Sequence, residues 1–244
     1  MTVSPPILQA PTVLDLTTPS DAVRRSMERA DGFPPASLWL VDAVAQEAAA
    51  DRLAAQVLDD EERRRAEAFR LDRDRRCYTA AHVALRLLLG ARLGTTARAV
   101  RMDRETCPTC GGPHGRPAVA GAGGPHFSLS HSGDLALIAI ADTPVGTDVE
   151  QFHSLETVTD VAVSLHPSET EELAALPDRD RPAAFARAWS RKESYLKGIG
   201  TGLSRDPSLD YVGAGPVPAP GPDGWTLTDV AVPDGYAAAV ALRR

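Results

Sequence analysis

Lysine is nearly missing from this sequence: of 26 basic residues, 24 are arginine and only Lys192 and Lys197 are lysine. Such usage is the simplest consequence of a GC-rich coding sequence. It makes two lysines five positions apart either a coincidence or a sign of sites that need a compact ammonium in place of a planar guanidinium. Cysteine is scarce too, and three of them are too few and too odd in number for a disulfide framework, which suits a reducing cytoplasm. No apolar run approaches the roughly 20 residues of a membrane helix, and no basic segment followed by an apolar run marks a secretory signal at the amino terminus. A net charge of −7 lacks the basic excess of a nucleic-acid binder. With 43% apolar and 24% charged residues over 244 positions, the chain can bury a core in one large domain or two small ones.

Residues 1–35 are proline-rich with little periodicity and read as a loose extension, with a short helix near Asp21–Ala30. Ser37–Asp42 has strand character, and Ala43–Phe69 is helical in pattern. Asp72–Leu93 is the strongest helix, with Ala81, Leu85, Leu88 and Leu89 on one face and Gly90 and Gly94 near its end. Val100–Asp103, His126–His131, Leu135–Ile140 and Val145–Glu150 read as strands, the third of them strongly apolar. Two helices follow, Ser168–Leu176 with Ser168 as N-cap and Ala183–Lys197 ended by Gly198; short strands at Trp225–Val230 and Tyr236–Leu242 close the chain. This order predicts an α+β fold.

Three segments carry candidate chemistry. In Gly146-Thr-Asp148-Val-Glu150 a spacing of two puts both carboxylates on one face of a strand, where they could share a cation. Magnesium needs few protein carboxylates and completes its shell with water and phosphate oxygens. In Trp189-Ser-Arg-Lys192-Glu193-Ser-Tyr-Leu-Lys197, residues 189, 193 and 197 share a helix face and Lys192 lies at its edge. In Phe127-Ser-Leu-Ser130-His131-Ser132, a histidine between hydroxyls at a strand end could donate to phosphate oxygens. Taken singly, each segment is as well read as a solvated strand edge, a surface ion pair or a structural histidine.

Taken together with Gly115-Arg116-Pro117, their order and spacing resemble the Sfp-type 4′-phosphopantetheinyl transferases, over about residues 60–205. The resemblance implies two similar α/β halves related by a pseudo-twofold axis, with the active site in the cleft between them. The halves would be residues 36–143 and 144–244, following the extension. It implies transfer of the 4′-phosphopantetheine of coenzyme A to a serine of an acyl or peptidyl carrier protein, with release of 3′,5′-ADP. Asp148, Glu150 and Glu193 would bind Mg2+, or Mn2+ in its place; Glu193 would act as base and Lys197 would assist the leaving group. Lys192 and Lys197 would lie beside the diphosphate, Ser130 and His131 would contact nucleotide phosphates, and Arg116 would stand where the family often has lysine. Arg65 and then Arg76 are the candidates for the 3′-phosphate, although the family's arginine near Cys77 is displaced here to Arg75 and Arg76. A cytoplasmic monomer, binding neither nucleic acid nor membrane, is the matching expectation. A non-catalytic coenzyme A or carrier-binding module and a magnesium-dependent diphosphate hydrolase remain as alternatives.

Two patterns are left outside this reading. Cys107-Pro-Thr-Cys110 with His114 has the spacing of half a zinc site but no evident fourth ligand, so free thiols in a turn-rich hairpin is the favoured reading. Gly198-Ile-Gly-Thr-Gly202 follows a helix and not a strand, so it reads as a helix stop, not a dinucleotide loop.

Overall fold

The computed structural model describes residues 9–18, 36–121 and 123–244, and the helix expected near Asp21–Ala30 lies outside them. The described residues form two compact units, one of residues 11–18, 36–104, 117–121 and 123–142, the other of residues 9–10, 105–116 and 143–244. The stretch 105–116, expected with the amino-terminal half, therefore packs with the carboxyl-terminal one. No helix among the described residues is long and apolar enough to cross a membrane.

The first unit is a four-stranded sheet backed by helices. Strands β1 (Thr12–Val13), β2 (Ser37–Asp42), β6 (Leu135–Ala141) and β5 (His126–Ser132) lie in the order β1-β2-β6-β5. β1 runs parallel to β2, whereas β2 and β5 both pair antiparallel with β6. All seven residues of β6 are buried, which is why its sequence is a continuous apolar run without alternation. Thr12–Val13 form the edge of the sheet and Leu14 and Leu16 are buried in the same core, so residues 12–16 are part of this unit and not the loose extension expected of them.

Three helices follow the sheet's chain path: α1 (Ala43–Val57), α2 (Asp60–Glu67) and α3 (Asp72–Leu93). The single helix expected over 43–69 breaks at Asp59, whose carboxylate accepts from the amides of Glu61 and Glu62 while Glu62 accepts from the Asp59 amide. This capping box restarts the helix at a new angle, an arrangement worth about 1 kcal/mol. In α3 the expected face, Ala81, Leu85, Leu88 and Leu89, is buried, and Gly94 ends the helix at φ 66°, a left-handed geometry that suits glycine. Strands β3 (Met102–Arg104) and β4 (Pro117–Val119) form a separate antiparallel pair.

A buried charge ties α2 to α3. Arg86, 1% exposed, donates to the carboxylates of Glu62 and Asp59 and to the carbonyl oxygens of Val100 (3.0 Å) and Ala97 (3.2 Å). Nδ1 of His82 lies 3.0 Å from Glu62. Burial alone would raise the Glu62 pKa, but the hydrogen bond to His82 and the charges of Arg86 and His82 outweigh it and hold the carboxyl below its ordinary value.

The second unit is a three-stranded antiparallel sheet crossed by a long helix. β7 (Val145–Gln151), β9 (Tyr236–Arg243) and β8 (Trp225–Asp229) lie in the order β7-β9-β8. Helices α4 (Leu155–Ala162), α5 (Pro167–Ala174) and α6 (Arg181–Ile199) lie between β7 and β8 in the chain. α5 starts two residues earlier than its hydroxyl suggested, because His166 and Glu169 form a capping box around Pro167. α6 runs through Gly198 and stops at Gly200, whose φ is 84°. Phe185, Ala188 and Trp189 of α6 pack with Val158, Leu165 and Leu173, and Leu196 packs with Trp225 and Leu227.

Replacing Arg86 by methionine strands two carboxylates, one of them buried, and is expected to destabilise the protein by about 3–5 kcal/mol in denaturant titrations. Because the folded-state pKa of Glu62 is depressed, its contribution is present at neutral pH and is lost as pH falls through that lowered value. Thermal unfolding of the native chain should therefore steepen its decline below about pH 4, and Glu62→Gln should flatten that decline.

Candidate active site

The site is organised by an unusually close approach of a strand to a helix. A Cβ placed on Gly146 of β7 would lie 2.0 Å from the Ser194 carbonyl oxygen and 2.4 Å from the Gly198 amide of α6. A Cβ on Gly198 would lie 2.6 Å from the Trp225 ring. Only glycine fits at either position, so the backbones of β7 and α6 meet without side chains between them. The facing strand β9 is alanine-rich, with Ala237, Ala238, Ala239 and Ala241 buried.

Strand alternation then puts Asp148 and Glu150 on the same side of β7 as Gly146, the side that meets α6. Asp148 is 2% exposed and its Oδ1 accepts from Lys197 Nζ at 2.6 Å. Burial raises the pKa of Glu193, the negative charge of Asp148 raises it further, and Lys197 opposes both. Asp148, Glu193 and Lys197 thus form one electrostatic cluster drawn from two elements. Glu150 is half-buried, with Oε2 3.7 Å from His153 Nε2. Along the largely buried α6, Trp189, Glu193 and Lys197 make a half-exposed stripe at a spacing of four.

Lys192 is not part of this cluster. It is 1% exposed, its ammonium lies 2.8 Å from the fully buried Glu169, and it donates to the Asp210 carbonyl. Glu169 also accepts from the amides of Val212 (2.7 Å) and Gly213 (3.2 Å). The expected place beside a diphosphate is therefore corrected: Lys192 turns inward, where a buried carboxylate requires a partner. Neighbouring Arg191, with no exposure, behaves likewise. It grips Asp229 through two bonds of 2.7 and 2.6 Å and donates to the carbonyls of Gly213 and Gly215. The sequence reading passed over Arg191 and Glu169, since nothing in their local pattern distinguishes a buried ion pair from a surface one.

Arg116 joins the same unit. It donates to the Gly198 carbonyl at 2.6 Å and to Glu105 Oε2 at 2.6 Å, so it braces the last turn of α6 one residue beyond Lys197.

The remaining predicted residues belong to the other unit. Ser130 and His131 sit opposite Leu137 and Ala136 in the β5–β6 ladder, the first buried and the second exposed. Arg65 is exposed, its guanidinium 5.8 Å from the centre of the Tyr78 ring. Arg76 is engaged with Asp134 (3.3 Å) and Glu47 (3.6 Å), which leaves it a weaker candidate for a phosphate than Arg65.

Comparison with known proteins places the chain in a family. Residues 144–221, which hold β7 and α6, match the family described as the 4′-phosphopantetheinyl transferase superfamily. The 4′-phosphopantetheinyl transferase HetI of Nostoc sp. is 32% identical over 84% of this chain and 86% of its own length. The corresponding enzyme psf-1 of Bacillus pumilus is 32% identical over 59% of this chain and 58% of its own length. Sfp of Bacillus subtilis is 29% identical over 50% of this chain and 54% of its own. A relative of that identity spanning most of both chains, and a family match centred on the acidic strand and the lysine-bearing helix, lead to one conclusion: this chain belongs to the 4′-phosphopantetheinyl transferase family and is an enzyme of that activity.

Proposed function

We propose that the chain takes the 4′-phosphopantetheine group from coenzyme A, places it on a serine hydroxyl of an acyl or peptidyl carrier protein, and releases 3′,5′-ADP. The observation that carries this reading is the cluster of Asp148, Glu193 and Lys197 on two elements in backbone contact.

The donor set suits Mg2+. Carboxylates from β7 and α6 converge around a single ammonium; burial first, and then the charge of Asp148, raise the pKa of Glu193, and a hard divalent cation would relieve both. Asp148, Glu150 and Glu193 would hold it, with Mn2+ as a chemically close substitute. When bound, the cation would neutralise charge on the diphosphate of the substrate.

The chain's own residues would do the rest. Glu193 accepts the proton of the carrier serine, directly or through a water held at the site. Lys197, held at the site by Asp148, faces the developing charge on the departing nucleotide phosphate and returns a proton to it. Arg116 steadies the helix end that presents Lys197. Ser130, His131 and Arg65 are proposed donors to the nucleotide's phosphates. Phe152, which is 37% exposed, and Val163 on the turn after α4, which is 76% exposed, are proposed as apolar contacts for the carrier domain.

The reading is tested by incubating the protein with apo carrier protein, coenzyme A and Mg2+ and weighing the carrier. A phosphopantetheine adduct on serine is expected; a coenzyme A cleaved with the carrier unchanged would point to a hydrolase and refute it. Glu193→Gln should lower transfer by about 10²- to 10⁴-fold while the thermal midpoint is kept or raised. Lys197→Met should lower kcat by a comparable factor of about 10² or more. Lys192→Met should act differently: it leaves Glu169 buried without its cation and should cost about 3–5 kcal/mol of stability. Any transfer lost in that variant should track its unfolded fraction.

A further inference from the structure

The stretch Cys107–His114 brings three metal-binding side chains together where the transfer reaction uses none of them. The sulfurs of Cys107 and Cys110 and a ring nitrogen of His114 all lie within 4.8 Å of one another. Cys110 Sγ is 2.9 Å from His114 Nε2. A tetrahedral zinc ion with ordinary bond lengths needs such atoms roughly 3.5–3.8 Å apart. Opening the Cys110–His114 pair by about 0.6 Å and closing the wider pairs by up to about 1 Å meets that requirement, and the exposed Cys110 and His114 can supply the movement.

The backbone around them is shaped for this purpose. Gly111 donates to the Cys107 carbonyl at 2.9 Å, and Cys107 donates to the Gly112 carbonyl at 2.8 Å, closing a tight turn. Gly111 takes a φ of 73°, and a Cβ on Gly112 would lie 2.9 Å from the His114 ring. The Gly112 amide points at Cys110 Sγ from 3.4 Å. A donor aimed at a sulfur belongs to the outer shell that a metal-bound thiolate needs.

We propose that Cys107, Cys110 and His114 bind a zinc ion, with a solvent molecule completing the tetrahedron on the exposed side. Two thiolates and an imidazole select zinc over the hard, oxygen-seeking cation of the transferase site. The fourth position is open because Cys110 and His114 are exposed while Cys107 is buried. The ion serves as a staple for the end of α6. Arg116, two residues after His114, holds the Gly198 carbonyl, and a Cβ placed on Gly200 would lie 3.5 Å from the Arg116 Cβ. Pro108 approaches the same point, at 3.9 Å. A metal that fixes this turn fixes the support on which Lys197 is carried.

The test is metal analysis of protein purified untagged and without chelator, followed by cobalt substitution under reducing conditions. About one zinc per chain is expected, retained through desalting, with a thiolate-to-cobalt charge-transfer band in the substituted protein. The Cys110→Ser and His114→Ala variants, both at exposed positions, should lose the zinc while keeping the native circular dichroism spectrum. They should also release Lys197 support, seen as a lower unfolding midpoint of the second unit. Three outcomes would overturn the proposal: reduced native protein that takes up neither zinc nor cobalt, metal content unchanged in both variants, or a Cys107–Cys110 disulfide with no metal.

Discussion

The contact on which the second unit turns is backbone against backbone, where Gly146 of β7 meets Ser194 and Gly198 of α6. Side chains ordinarily keep a strand and a helix about 10 Å apart, and a single methyl at Gly146 would need space already occupied by a carbonyl oxygen. Removing that spacer has a chemical result. Short side chains such as Asp148 and Glu193 can then reach one another and Lys197 across the two elements. The glycine of the acidic motif is therefore part of the site, because it sets the distance over which the acids act.

Charge is sorted along α6 by the same packing. Arg191 and Lys192 turn into the protein and are matched by Asp229 and Glu169, while Glu193 and Lys197 lie on the half-exposed stripe. Ion pairs buried this deeply contribute little net stability, since desolvation offsets most of the attraction, but breaking one is severe. Their effect is to fix the rotation of the helix. With Arg191 and Lys192 held on one side, Glu193 and Lys197 can only face the other. Adjacent charges in one short motif thus divide into structural and chemical groups.

The turn at 105–116 belongs to this arrangement although it lies far from α6 in sequence. It packs with the carboxyl-terminal unit, and Arg116 reaches the helix end within 2.6 Å. The last turn of any helix has carbonyls without intrahelical partners, and a guanidinium there satisfies one of them and suits the helix dipole. Glu105 pairs with the same guanidinium and keeps it in place.

Sequence alone was enough for the elements whose signal is local. The periodicity of Asp72–Leu93, the apolar run of β6 and the strand character of Ser37–Asp42 each depend on near neighbours, and the structure reproduces them within a residue. The residues of the proposed site, Asp148, Glu150, Glu193 and Lys197, could be named as candidates because they stand in two short motifs. What the chain could not reveal by inspection was direction. Whether Lys192 meets solvent or Glu169, whether 12–16 hangs free or edges a sheet, and with which unit 105–116 packs all depend on partners distant in sequence. Local pattern encodes backbone conformation through nearest-neighbour sterics, whereas the partner of a buried charge is chosen by the whole packed interior.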